Sequence, residues 1–297
     1  MRHWTEFRVG AETIVTPTDI ETYRRDGTAL IRGVFADWVE PLGEAIGSTI
    51  QRHRRHELAE VVPGNFQNAV RVVDEFGGGT MALNLVPHDP RFADWLRCSP
   101  AAEMTGRIMD SFQVRYWIDA SFVKGEDAAS EGTPWHNDTC TWPFWGEQMT
   151  ILWIALSDIG PDDGPLTTVR GSHQGDGRYY SPFFPAVEEP PAPYKPWQAL
   201  LDQVTAPDAQ LLTWTMSKGD CLFMHPSTVH GSLPRNAQHA PPRVSFSTRW
   251  LGDDVLFKPE PLTEPLTEAL NGHPGMQYGR PPADDVIPVS WQRAAAS

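Results

Sequence analysis

Residues 133–155, TPWHNDTCTWPFWGEQMTILWIA, decide how this chain is read. The opening of the stretch reads as a strand carrying His136 and Asp138 at positions i and i+2. Alternate residues of a strand share a face, so the imidazole and the carboxylate can take adjacent positions on one metal ion. A second imidazole, His230, follows ninety-four positions after His136. Together they compose a 2-His-1-carboxylate facial triad. That donor set leaves positions open on the opposite face of the ion and suits non-haem Fe(II).

Outward from this stretch the chain changes character at Ser111. QVRYWIDASFVKG, MTILWIALSDI, LTTVRGSH, GDCLFMH and RVSFSTRW are short β-rich runs separated by Gly, Pro and Asp turns. Many such strands predict a sandwich or barrel rather than alternating βα units. The N-terminal third reads differently. TPTDIETYRRD, from Thr16 to Asp26, predicts a short capped helix stopped by Gly27, with TALIRGVF a buried strand after it. Asp37 is placed to cap a second helix whose Val39, Leu42, Ile46 and Ile50 share a face, with Pro41 tolerated in its first turn. Helical patterns return near Pro90–Leu96 and Pro100–Met109. Residues 181–210 carry seven prolines among Phe183, Phe184, Tyr194 and Trp197. An insertion of this kind, about residues 175–210, is a surface excursion or a lid over a site. With no repeat and no dividing linker, the whole chain, 1–297, reads as one domain with its core at about 111–255.

Composition narrows the partners. Lys and Arg total 24 against 38 Asp and Glu, a formal charge of −14, which opposes a nucleic-acid partner. Cys98, Cys140 and Cys221 form no CxxC pair and are odd in number, so neither a disulfide framework nor a cysteine zinc site is expected. The opening MRHWTEFRVG has no apolar signal core, and no stretch of eighteen apolar residues occurs. The expectation is a cytoplasmic protein with a small-molecule substrate, no membrane association and an open oligomeric state.

Three segments resemble the phytanoyl-CoA hydroxylase family of Fe(II)/2-oxoglutarate-dependent oxygenases. They are DIETYRRDGTALIRGVF (19–35), the segment 123–173 containing TPWHND and ending GSH, and KGDCLFMHPSTVHGSLPRNAQHAPPRVSFSTRWLGDD (218–254). They stand in the family's order and cover roughly residues 15–255. The resemblance implies a mainly β protein with flanking helices: a double-stranded β-helix (jelly roll, cupin-like) whose N-terminal helices pack on the larger sheet. It implies Fe(II), 2-oxoglutarate and O2 as cofactor and co-substrates, with His136, Asp138 and His230 as metal ligands. His225 is the rival distal ligand, at the end of the CLFMH run, whereas His230 matches the family position.

A buried 5-carboxylate of 2-oxoglutarate needs a cationic partner, and a guanidinium fork fits it bidentately. The resembled family carries that arginine on the strand after the distal histidine, where Arg243 stands. Arg235 lies in a turn too near the metal ligand, and Arg249 shares a strand face with Arg243 six residues along. Ser232 and Trp153 match positions that line the co-substrate pocket, core packing being the other reading of Trp153. Trp117, Trp142, Phe144 and Trp145 are either walls of an apolar substrate pocket or jelly-roll core. Lys124 and Arg115 are candidates to meet an anionic substrate, surface placement being the alternative. Because Asp138 is retained, the resemblance implies hydroxylation or another C–H oxidation rather than halogenation. Two other classes compete: a cupin-like protein that holds metal or ligand without turnover, and a zinc hydrolase. The second lacks an HExxH helix, and no GxSxG elbow occurs.

Overall fold

The computed structural model describes residues 14–58, 69–126, 130–175, 177–235, 241–263, 267, 270 and 273–294. The chain opens on α1 (Pro17–Asp26). Thr16 caps this helix by accepting from the Asp19 amide, Asp19 returns the bond to Thr16, and Gly27 ends the helix in the left-handed region at φ 78°. Next come β1 (Thr28–Ile31) and α2 (Val39–Arg54). Asp37 does not cap α2 as expected. It sits inside a 3-10 turn, Ala36–Trp38, and Trp38 takes the cap position with no side-chain bond. Then follow β2 (Arg71–Val73), β3 (Thr80–Leu83), α3 (Pro90–Cys98) and α4 (Ala101–Ile108).

From Gln113 the structure is mostly strand: β4 (Gln113–Lys124), β5 (Thr133–His136), β6 (Phe144–Trp145), β7 (Met149–Ala155) and β8 (Leu166–Val169). After α5 (Trp197–Thr205) come β9 (Leu211–Trp214), β10 (Cys221–Met224), β11 (His230–Ser232), β12 (Arg243–Leu251), β13 (Leu256–Phe257) and β14 (Val289–Gln292).

The strands form a large antiparallel sheet, β1-β10-β7-β12-β4-β3-β2 with β14 also on β4, and a smaller one, β5-β11-β8-β9. This is the mainly β architecture with flanking helices that the sequence predicts. The central strands β7 and β10 are buried at every residue, so they read as continuous apolar runs. The two faces of the large sheet do different work. Outward-facing Leu152, Ile154, Phe223, Phe246 and Trp250 join α1–α4 in one core. Phe246 stacks on Phe92 at 5.2 Å and meets Trp95 edge-on at 5.3 Å, both on α3. The inward residues Ile151, Trp153, Leu222 and Met224 belong to a second core facing the smaller sheet. Backbone contact ties the entry to β5 closely against β11. Gly132, at φ 90°, lies so close to the Ser232 carbonyl that a Cβ would collide with it.

Candidate metal centre

The smaller sheet builds the centre from its two short strands. β5 and β11 pair with His136 directly opposite His230, and the two imidazole centroids stand 4.2 Å apart. Strand β5 ends at His136, so Asp138 is not carried on the pleat as expected. It lies in the bend that follows, where its amide donates to the Pro226 carbonyl at 2.9 Å and its carbonyl accepts from the Thr141 amide at 3.1 Å. The result is the same convergence by another route. Asp138 Oδ1 lies 3.5 Å from His136 Nε2 and 3.8 Å from His230 Nε2. One ligand atom from each of the three residues lies within 4.8 Å of the others.

Both rings are held from behind. His136 Nδ1 is 2.7 Å from the Pro134 carbonyl and His230 Nδ1 is 2.9 Å from the Thr228 carbonyl. Each Nδ1 therefore carries the proton, and each Nε2 presents its lone pair to the centre. Burial, with His136 beside it, pushes His230 down to about 4, so it stays neutral and able to offer Nε2 to a metal. Burial raises the Asp138 carboxyl, but the two imidazoles beside it and the Arg249 guanidinium outweigh it and hold it well below the usual carboxylate range. His225 does not join the group. It is fully enclosed beside His173, ring centroids 5.5 Å apart, and its Nδ1 accepts from the Ser227 amide at 3.2 Å.

The triad opens into a cavity of about 580 Å³ between the sheets. Register places its walls. Arg243 pairs with Lys124 across β12 and β4, and both side chains line one end of the cavity. The Arg243 guanidinium donates to the Gly164 carbonyl and lies 5.9 Å from the Trp153 ring centroid. Lys124 Nζ donates to Ser130 Oγ at 2.8 Å. Burial, with Arg243 and Arg235 nearby, pushes Lys124 down to about 8. Ser232 closes this end, its Oγ accepting from the Thr133 amide at 2.8 Å.

The aromatic candidates separate. Trp117 and Trp142 line the cavity, meeting edge-on at 5.2 Å. Trp145 does not: its ring lies under the Arg178 guanidinium at 3.9 Å, outside the cavity lining, and Phe144 packs in the core. Arg115 is neither at the cavity nor on the surface. It is buried, donating to the Ile287 carbonyl at 2.7 Å and pairing with Asp284 at 2.6 Å. Arg235 is likewise buried, spent on the Gly125 and Pro241 carbonyls.

Two contributors were not singled out as site residues from sequence. Phe183, in the proline-rich insertion, meets the His136 ring at 4.8 Å and Phe76 at 5.4 Å, roofing the centre. Arg249 reaches the cavity with Nη2 3.8 Å from Asp138 Oδ2. Its signal was present in RVSFSTRW, where Arg243, Ser245, Ser247 and Arg249 alternate with Val, Phe, Thr and Trp and so share one face.

A jelly-roll-like pair of sheets around a His-Asp-His group defines the class of an Fe(II)/2-oxoglutarate oxygenase fold. The model of the phytanoyl-CoA dioxygenase family matches residues 23–243, and the chain belongs to that family. The peroxisomal phytanoyl-CoA dioxygenase of Rattus norvegicus is 26% identical over 106 residues, spanning 33% of this chain and 28% of that protein. Among solved structures, the non-haem alpha-ketoglutarate-dependent epimerase SnoN of nogalamycin biosynthesis superposes with a TM-score of 0.66 at 22% identity, covering 94% of this chain and 97% of its own. EctD from S. alaskensis, solved with 2-oxoglutarate and 5-hydroxyectoine, gives 0.61 at 17% identity, with 91% and 86% coverage. Among the described residues, no helix is long and apolar enough to cross a membrane.

Proposed function

We propose that this protein is an Fe(II)- and 2-oxoglutarate-dependent dioxygenase that oxidises a C–H bond of a small organic molecule, hydroxylation being the foremost outcome. The observation that carries the reading is the convergence of His136, Asp138 and His230 with both Nδ1 atoms tied to backbone carbonyls. Two neutral imidazoles and one carboxylate fit ferrous iron, because they leave positions for a bidentate keto acid and for oxygen. Iron and 2-oxoglutarate, if held there, would supply dioxygen activation, with succinate and carbon dioxide as the co-products of an oxidised substrate.

The chain's own residues do the rest. Arg243 and Lys124 are two cations facing one end of a buried cavity, with only carbonyl and hydroxyl partners among the described contacts. Such a pair is suited to a dianionic co-substrate's distal carboxylate, with Ser232 adding a hydroxyl and Trp153 a flat wall. Lys124 thus belongs to the co-substrate end in this reading, not to the organic substrate. Trp117 and Trp142 form the substrate side, and Phe183 with Phe184 lies over the mouth, excluding water. A pure metal holder would have no use for the paired cations, and a zinc hydrolase would have none for a keto-acid clamp.

Succinate formation tests the reading. It is expected to require Fe(II), 2-oxoglutarate and oxygen together. Arg243→Ala should raise the KM for 2-oxoglutarate by tenfold or more while iron binding is retained, since charge-assisted bonds contribute about 1.5–3 kcal/mol. Unchanged co-substrate affinity in this variant would place the clamp elsewhere. Oxygen-independent turnover with zinc would replace the reading altogether.

A further inference from the structure

The inner face of β12 ends in a second arginine that the co-substrate clamp does not use. Arg243 and Arg249 bracket Ser245 and Ser247, and all four side chains line the cavity. The arginines stand six positions apart on the strand, roughly 20 Å of backbone, and Arg249 is the one beside Asp138. An Arg243-bound keto acid therefore places its distal carboxylate away from Arg249.

Arg249 is enclosed, its side chain only 11% exposed, and its recorded hydrogen bond is Nη1 to the Ser247 carbonyl at 3.1 Å. A guanidinium has five N–H donors, so most of them remain available. They are not sealed in protein: none of its nitrogens is among the buried polar atoms lacking a partner, and the side chain lines the cavity. The nearest carboxylate, Asp138, stands 3.8 Å away at Oδ2, beyond hydrogen-bond length. Its other oxygen is the one turned toward both imidazoles. A metal on the triad would offset the Asp138 charge, and the other carboxylate that acts on Arg249, Asp119, is already engaged by the Leu85 and Val86 amides and the Tyr116 hydroxyl. Around it the cavity is apolar, formed by Trp117, Trp142, Ile151 and Met224. An enclosed cation in such a wall is costly unless an anion pairs with it.

We infer that Arg249 is the substrate anchor of this enzyme, and that the substrate is an apolar, ring-bearing acid whose carboxylate or equivalent oxyanion binds the Arg249 guanidinium while its rings lie against Trp117 and Trp142. This rests on the proposed oxygenase reading, since the co-substrate must fill the Arg243 end. The anchor sets regiochemistry. Because Arg249 lies beside a metal ligand, the oxidised carbon is close to the anchored oxyanion, not at a remote tail.

The probe is 2-naphthoate, compared with the neutral 2-naphthamide, titrated anaerobically into the Fe(II)·2-oxoglutarate complex and followed by tryptophan fluorescence. Pre-filling with 2-oxoglutarate blocks the Arg243 clamp. The acid is expected to bind about 10- to 100-fold more tightly than the amide, as loss of a charge-assisted contact implies. Arg249→Met should abolish that preference, and Arg249→Lys should recover part of it, each variant being titrated at Fe(II) and 2-oxoglutarate concentrations at which its own absorption band is complete. Equal binding of acid and amide, or a preference surviving Arg249→Met, overturns the anchor. Loss of iron binding in both variants overturns it too and makes Arg249 the positioning partner of Asp138. Failure of the wild-type complex to form its band sinks the oxygenase reading instead, which keeps the two failures distinct.

Discussion

At the scale of single residues, the centre depends on which ring nitrogen faces inward. His136 and His230 each surrender Nδ1 to a carbonyl two residues back, Pro134 and Thr228. His225 has the same chemistry but spends its Nδ1 on the Ser227 amide and packs against His173. Sequence spacing alone left the two distal histidines as rivals, because nothing local distinguishes them until strand pairing sets His230 opposite His136. Lys124 shows the same limit. Its strand position was legible, but burial beside Arg243 is a property of register between residues more than a hundred apart. A consequence follows for pH. Burial, with Arg243 and Arg235 nearby, pushes Lys124 down to about 8 in the free protein, and the proposed clamp needs it protonated. Affinity for 2-oxoglutarate is therefore expected to be full below that value and to decline as pH rises through it. The KM for 2-oxoglutarate measured from pH 6.5 to 9.5 should climb on the alkaline side, and Lys124→Met should remove the inflection. A climb that persists in the variant would assign the titration to another group.

At the scale of elements, β12 joins structure to chemistry. Its odd-numbered residues, 243 to 249, line the cavity, while Phe246 and Trp250 anchor the helical layer. That alternation was readable in RVSFSTRW, as were β4, β7 and β10, because half-buried or buried strands of this length declare themselves by pattern. The short elements were not. β5 stops at His136 because the Asp138 bend is held by a Pro226 carbonyl far along the chain, and α5 forms within the proline-rich insertion, whose reading as a surface excursion or a lid foresaw no helix. Trp145 was equally opaque: only the fold brings Arg178 over its ring. Phe246→Ala should cost about 3–5 kcal/mol by urea denaturation, since it empties the contact between β12 and both Phe92 and Trp95. A loss below about 1 kcal/mol would mean that the helices do not depend on that face.

Across the whole molecule, the division of labour is between a large sheet that carries the helical core on its back and a small sheet that carries His136 and His230, the two imidazoles of the proposed metal centre. The cavity between them receives cations from the large sheet, Lys124 with Arg243 where β12 begins and Arg249 near its end, beside Asp138. A chain of strong net negative charge thus encloses a cavity lined by Lys124, Arg243 and Arg249, a local field suited to small anions. The most direct measurement is an anaerobic titration of the metal-free protein with Fe(II) in the presence of 2-oxoglutarate, followed by visible absorption. One equivalent of iron should develop a weak charge-transfer band in the wild type and in His225→Asn, and none in His230→Ala. A band that survives in His230→Ala but vanishes in His225→Asn would contradict the account.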